Sequence, residues 1–166
     1  VSRDNEREGA KQAFGRALRT QVDLTSADII LSLDCDFLGK HPHALRLTRQ
    51  FAARRTPDNE SGTMNRLYVV ETMHTGTGAA ADHRLAARTV DIPGLLGRIE
   101  AAVKEKLEGK KTPPEKDYGA KFIDAVADDL VANQGKAAIL VGSRQSPAVH
   151  ARVHRLNAVL KNAGAT

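Results

Sequence analysis

The chain has 166 residues, 41% hydrophobic and 27% charged, with a formal net charge of +5 and a single cysteine. That length suits one domain with a continuous core, and no apolar run nears the roughly 20 residues needed to cross a bilayer, so no direct membrane insertion is expected. Cys35 standing alone excludes an internal disulfide and any zinc or iron–sulfur site built from cysteines of this chain.

The chain starts VSRDNEREG, with neither an initiator methionine nor a signal-like apolar stretch, so it is expected to be a domain excised from a longer protein. Glu6 to Leu18 carries a helical pattern, and residues 1–20 are expected to form a truncated N-terminal helix. Ala27 to Asp34 (ADIILSLD) is a nearly continuous apolar run that predicts a strand buried on both faces, the habit of parallel sheets. His43 to Arg55 predicts a helix with Ala44, Leu47 and Phe51 inward, and TPDNESGT (Thr56 to Thr63) predicts a loop. Leu67 to Val70 predicts a second strand.

Ile92, Leu95, Leu96, Ile99, Val103 and Leu107 follow one helical face, and Phe122, Val126 and Leu130 another. GKKTPPEKD (109–117) separates the two as a loop. Ala137 to Val141 predicts a third strand, and Val149, Val153, Leu156 and Leu160 a last helix, started by Ser146 as N-cap and Pro147 in the first turn. Strands alternating with helices predict an α/β fold with three layers, α/β/α, around a mainly parallel Rossmann-like sheet, all within one domain over residues 1–166.

The basic balance is compatible with a nucleic-acid partner, because Lys and Arg neutralise phosphates. Along this chain, however, bases alternate with acids, and four Phe, two Tyr and no Trp offer few rings for bases to stack on. The charge therefore reads as solvated helix faces, and no nucleic-acid partner is expected.

Ligands of such sheets bind beyond the carboxyl ends of the strands, which singles out the loops Cys35 to Pro42, Thr72 to His83 and Ser143 to Ser146. LSLDCDFLGKHPH (Leu31 to His43) offers metal-ligating types in Asp34, Asp36, His41 and His43, with His74 and His83 in the next loop. The spacing is not that of a zinc motif, and an extended chain points Asp34 and Asp36 to one side and Cys35 to the other. A polar strand end is the preferred reading, with Asp34, Asp36 and His41 as the alternative metal set. Two flanking carboxylates disfavour a Cys35 thiolate, so the cysteine is expected to be buried and inert. GTGAAADHR and VGSRQSP place backbone N–H groups near helix starts, a geometry that favours phosphates, but neither is a dinucleotide or P-loop fingerprint.

Taken in order, ADIILSLDCDFLGKHP, LYVVETMHTGTGAAADHRL and AAILVGSRQSP resemble the middle domain of molybdopterin oxidoreductases. The resemblance runs from about Val22 onward and keeps His41-Pro42, Thr75 and Ala81-Asp82. Asp34-Cys35-Asp36-Phe37 stands where that family has Gly-x-Asn-Pro, and Glu71-Thr72-Met73 where it has Asp-Pro-Arg. The Pro-Gly-Thr of the family is replaced around Thr89 to Asp91. A carboxylate unpaired within about 4 Å of a cofactor diphosphate costs on the order of 1 kcal/mol or more, even where well screened.

LSLDCDFLG and MNRLYVVET resemble one branch in particular, the molybdopterin-oxidoreductase-like iron–sulfur subunit of the bacterial quinol:electron-acceptor complex called alternative complex III. The resemblance implies a cofactor-free domain with a structural or assembly role in a respiratory electron-transfer complex. It also implies iron–sulfur clusters elsewhere in the parent chain and export of the parent to the periplasmic side. Its partners would then be other domains of the parent and other subunits of a membrane-associated complex. The crevice that corresponds to the cofactor site comprises Asp34, Cys35, Asp36, Glu71, Thr72, Thr75, Gly142 and Ser143, with no catalytic residue. The alternative implied by the same resemblance is an active molybdopterin oxidoreductase, whose loops hold the guanosine half of a molybdopterin guanine dinucleotide.

Overall fold

The protein is described by a computed structural model over residues 3–56, 62–110 and 118–166. Among these residues the strands are β1 (Ile29–Leu33), β2 (Arg66–Glu71), β3 (His83–Ala86) and β4 (Ala137–Val141). They form one parallel sheet in the order β3-β2-β1-β4. In register, Leu31 lies between Tyr68 of β2 and Ile139 of β4. All five residues of β1 are buried, as its unbroken apolar run requires of a central strand. The helices are α1 (Asp4–Phe14), α2 (Ala44–Ala53), α3 (Gly76–Ala79), α4 (Ile92–Leu107), α5 (Tyr118–Ala132) and α6 (Pro147–Val159).

Alternation along the strands sorts the core into two layers. Ile29, Leu31, Leu33, Tyr68, Val70, Ala137 and Ile139 face α4, α5 and α6, where Leu96, Ile99, Val126, Leu130, Val153 and Leu156 meet them. Ile30, Leu67, Val69, Ala138 and Leu140 face the other way, onto Leu47 and Phe51 of α2 and onto Leu24, Ala27, Cys35 and Phe37. The expected α/β/α architecture is therefore present. Arg152 of α6 fastens one layer internally, gripping both carboxylate oxygens of Glu100 on α4 at 3.1 Å and donating to the Pro93 carbonyl at 2.9 Å.

Several boundaries move. The first strand ends at Leu33 instead of Asp34, because Asp34 takes a left-handed backbone with φ 53° and turns the chain away. The N-terminal helix runs Asp4–Phe14 instead of to Leu18 and ends at Gly15, where φ is 73° and the N–H returns to the Lys11 carbonyl. Ser146 has the extended backbone of an N-cap, but its hydroxyl makes no capping bond; Pro147 alone carries the expected start. β3 was not expected, since HRLA is a half-exposed edge segment with no apolar run. The predicted loop at Thr56 to Thr63 lies mostly outside the described residues, as does that at 109–117.

β4 is the other edge, and side chains close it. Asn157 of α6 accepts from the Ile139 N–H at 3.3 Å and donates to the Ile139 carbonyl at 3.1 Å, occupying both groups that a further strand would use. Asn162 accepts from the Ala137 N–H at 3.3 Å, and the Thr166 hydroxyl donates to the Ala137 carbonyl at 2.6 Å. Such cover is how proteins blunt an exposed edge.

Candidate functional site: the crevice at the strand ends

From β1 the chain runs through β2 and β3 on one side, then crosses back through α4 and α5 to place β4 on the other. The strand order reverses between β1 and β4, and in open parallel sheets the crevice outside that point is where ligands sit. Here the loops after β1, β2 and β4 meet, and each carries a carboxylate or its partner.

Asp34 spans the reversal itself. One carboxylate oxygen accepts from Arg144 at 3.1 Å and the other from the buried Gln145 amide at 3.2 Å, both in the loop after β4. The backbones touch as well: the Gly142 N–H bonds the Leu33 carbonyl at 2.9 Å, and a Cβ on Gly142 would drive into the Asp34 carbonyl. The expected crevice residue Gly142 is thus needed for close approach of the two loops. Ser143 contributes its carbonyl, which accepts from Asn5 of α1 at 3.4 Å.

Asp36 joins the first loop to the second. Its carboxylate accepts from the Thr77 hydroxyl at 2.8 Å and the Thr77 N–H at 3.3 Å, while the Leu38 N–H bonds back to the Thr77 hydroxyl oxygen at 3.0 Å. Its carbonyl also accepts from Gly39, Lys40 and His41, winding the loop tightly around it. The picture of Asp34 and Asp36 projecting together from an extended strand is therefore wrong. The left-handed turn at Asp34 sends the two carboxylates to different loops.

Cys35 is buried, as expected, and its thiol is pushed up to about 12. Burial is the main cause; Glu6, Asp36 and Asp34 add like-charge repulsion, so the flanking acids are secondary to desolvation. The Cys35 carbonyl accepts from the buried Ser32 hydroxyl at 2.6 Å, which satisfies the one polar side chain of β1.

Glu71 closes the second loop on itself. It is only 4% exposed, and it accepts from the Thr75 hydroxyl at 2.7 Å, the Thr75 N–H at 3.2 Å and Arg84 Nε at 2.7 Å. The Thr75 oxygen in turn accepts from the Gly78 N–H at 3.2 Å and so caps α3. A Cβ on Gly78 would collide with the Glu71 carboxylate, so the second glycine of GTGAAADHR makes room for this side chain. Thr72 faces away from that cluster; its hydroxyl bonds the Ala87 carbonyl at 2.9 Å and meets Thr89 at 3.1 Å.

Four of the backbone N–H groups expected to be open to a phosphate are therefore in use. Those of Thr75, Thr77 and Gly78 bond Glu71, Asp36 and Thr75, and that of Gln145 bonds the Gly142 carbonyl at 3.0 Å. The alternative metal set is also dispersed: Asp34 turns to Arg144, Asp36 to Thr77, and His41 Nδ1 accepts from the His43 N–H at 3.1 Å. Among the described residues, no three His, Cys, Asp or Glu side chains stand close enough to hold a metal ion. Of the more distant candidates, His83 stacks on Tyr68 with ring centroids 4.8 Å apart.

No family model matches the chain, and no curated protein does. The crevice is defined by its own chemistry, and the sequence reading missed half of that chemistry. It selected the acids Asp34, Asp36 and Glu71 but not their partners Arg144, Gln145, Thr77 and Arg84. The available signal was an arginine beyond the end of β4 in VGSRQSP and another inside β3 in ADHRL, each matched to an acid at the end of the neighbouring strand. Asp82, beside the expected Ala81, has a fold role: it accepts from the Leu67 N–H at 2.7 Å and pairs with Arg55. Burial works to raise its pKa, but the Arg55 guanidinium and the Leu67 N–H hold the carboxyl below its usual range.

Proposed function

We propose that this is a molybdopterin-oxidoreductase-like domain whose cofactor crevice is filled by its own side chains, and that it serves a respiratory electron-transfer complex as a structural part without chemistry of its own. The observation that carries this reading is the mutual satisfaction of the three crevice carboxylates. Asp34, Asp36 and Glu71 each bind across or within the loops at hydrogen-bond distance, and Gly39 and Gly78 leave just the room that the Asp36 and Glu71 carboxylates occupy. A dinucleotide diphosphate entering this crevice would have to break those pairs and then lie against the freed carboxylates, two costs that add.

In this reading the partners are other domains of a parent chain and neighbouring subunits, and iron–sulfur clusters of the parent lie in its other domains. The parent works on the periplasmic side of a membrane-associated complex. Among the described residues, no helix is long and apolar enough to cross a membrane. The test is equilibrium dialysis of the purified protein against a guanine nucleotide at millimolar concentration, with molybdenum and pterin analysis of the protein as isolated. The expected result is no saturable uptake and no metal. A stoichiometric pterin, or nucleotide uptake that Glu71→Ala or Asp34→Ala alters, overturns the reading.

A further inference from the structure

A groove with a volume of about 250 Å³ runs beside the closed edge of β4, from Cys35 and His41 at the carboxyl end of the strand to Asn162 and Thr166 at the other. Five residues of strand make it about 16 Å long. Its walls are Phe14 and Leu18 from the end of α1 and the segment after it, Val22, Leu140 of β4 and Val153 of α6. Phe14 and Leu18 are large apolar side chains left exposed, and both belong to this wall. His150 and His154 also line it, and burial holds both below the ordinary histidine range, so neither ring puts charge into the groove near neutral pH.

The groove's character changes at one end. There it joins a second hollow of about 420 Å³, and the two share Arg3, Glu6, Leu18, Arg19 and Thr20. Three arginines, Arg3, Arg7 and Arg19, line that hollow against two acids, Asp4 and Glu6. Arg3 is committed to Glu6 at 2.6 Å, whereas no carboxylate pairs with Arg7 or Arg19 among the described residues. An apolar trough thus opens onto a cationic vestibule.

An extended peptide is the obvious occupant of a trough beside an edge strand, but β-augmentation needs free backbone groups on that edge. Asn157, Asn162 and Thr166 already hold the outward groups of Ala137 and Ile139. With those groups engaged, a ligand here gains little from the strand's hydrogen bonds and binds chiefly through apolar contact along the trough and charge at the mouth. We propose that this groove binds a small amphipathic carboxylate, its alkyl chain lying along β4 and its carboxylate held by Arg19 and Arg7. Burial of such a chain is favourable in proportion to the area removed from water, and guanidinium groups suit a carboxylate in geometry as well as charge.

Calorimetric titration of the protein with octanoate tests this, with octan-1-ol as the uncharged control. Saturable binding is expected for octanoate, at least tenfold weaker for the alcohol. Arg19→Gln combined with Arg7→Gln should weaken octanoate at least tenfold and leave the alcohol unchanged. Leu18→Asp, at an exposed wall position that can change without loss of fold, should abolish both. Absence of octanoate binding at millimolar concentration, equal affinity for acid and alcohol, or isotherms unmoved by these substitutions overturns the proposal. So does displacement of octanoate by an unrelated extended peptide. The crevice variants Glu71→Ala and Asp34→Ala should leave octanoate binding intact, which separates this site from the one at the strand ends.

Discussion

Glu71 shows how closely a single side chain can be specified. A buried carboxylate is tolerable only when paired and hydrogen-bonded, and here Thr75 and Arg84 supply both conditions. Arg84→Ala leaves the charge with Thr75 alone and should cost about 3 kcal/mol of unfolding free energy in urea titration. Gly78→Ala should cost about 1–3 kcal/mol by overpacking against the same carboxylate. Gly76→Ala, where an added methyl meets open space, should cost nothing measurable. Equal effects at the two glycines would sink the account of why they are there. This is also the scale at which the sequence was least legible. The acids at the strand ends could be picked out because they interrupt apolar runs, but pairing is a property of three dimensions: Asp34 and Arg144 are 110 residues apart, and no local pattern joins them.

At the scale of elements, legibility tracks burial. α4 follows its predicted stripe over Ile92–Leu107, and β4 its predicted bounds, because both bury enough apolar surface to impose a period on the sequence. β3 escaped because one edge of the sheet asks little of its residues, and a pattern under weak selection for burial carries little signal. α1 is different again. It lies on α6, where a Cβ on Gly9 would collide with His150, so helix contact there depends on a missing side chain. The closed edge of β4 yields the prediction at this scale. Asn157→Ala strips the Ile139 N–H and carbonyl of their partners, at about 1–3 kcal/mol for the buried groups left unsatisfied. It also opens a strand edge to other chains, so light scattering should show concentration-dependent association that the parent protein lacks. A destabilised but strictly monomeric variant would mean that the edge is protected by something else.

For the whole molecule, the ionisable groups it buries set the pH range over which it is most stable. His150 and His154 are held below the ordinary histidine value of 6.5, chiefly by burial, so folding favours their neutral forms. Their contribution is complete above pH 6.5 and is lost as pH falls through the lowered folded values. Cys35 acts from the other side. Its thiol is raised from 9.0 to about 12, so its contribution is complete below pH 9 and is lost as pH climbs towards 12. Urea midpoints measured across this range should form a plateau bounded by a decline on each side. His150→Phe should soften the acid decline and Cys35→Ser the alkaline one. Thiol reagents at pH 8 should label Cys35 slowly, because burial keeps the thiol protonated; rapid labelling of the folded protein would contradict that burial.

Gly142 has a consequence beyond its own turn. Because a Cβ there would press on the Asp34 carbonyl, the width of the gap between the first and last loops is fixed by a hydrogen atom. Any larger substituent acts as a wedge at the one place where the sheet's two halves part company. The same position that keeps the cleft shut is therefore the natural handle for prising it open, and a single methyl group is the smallest lever that could do so.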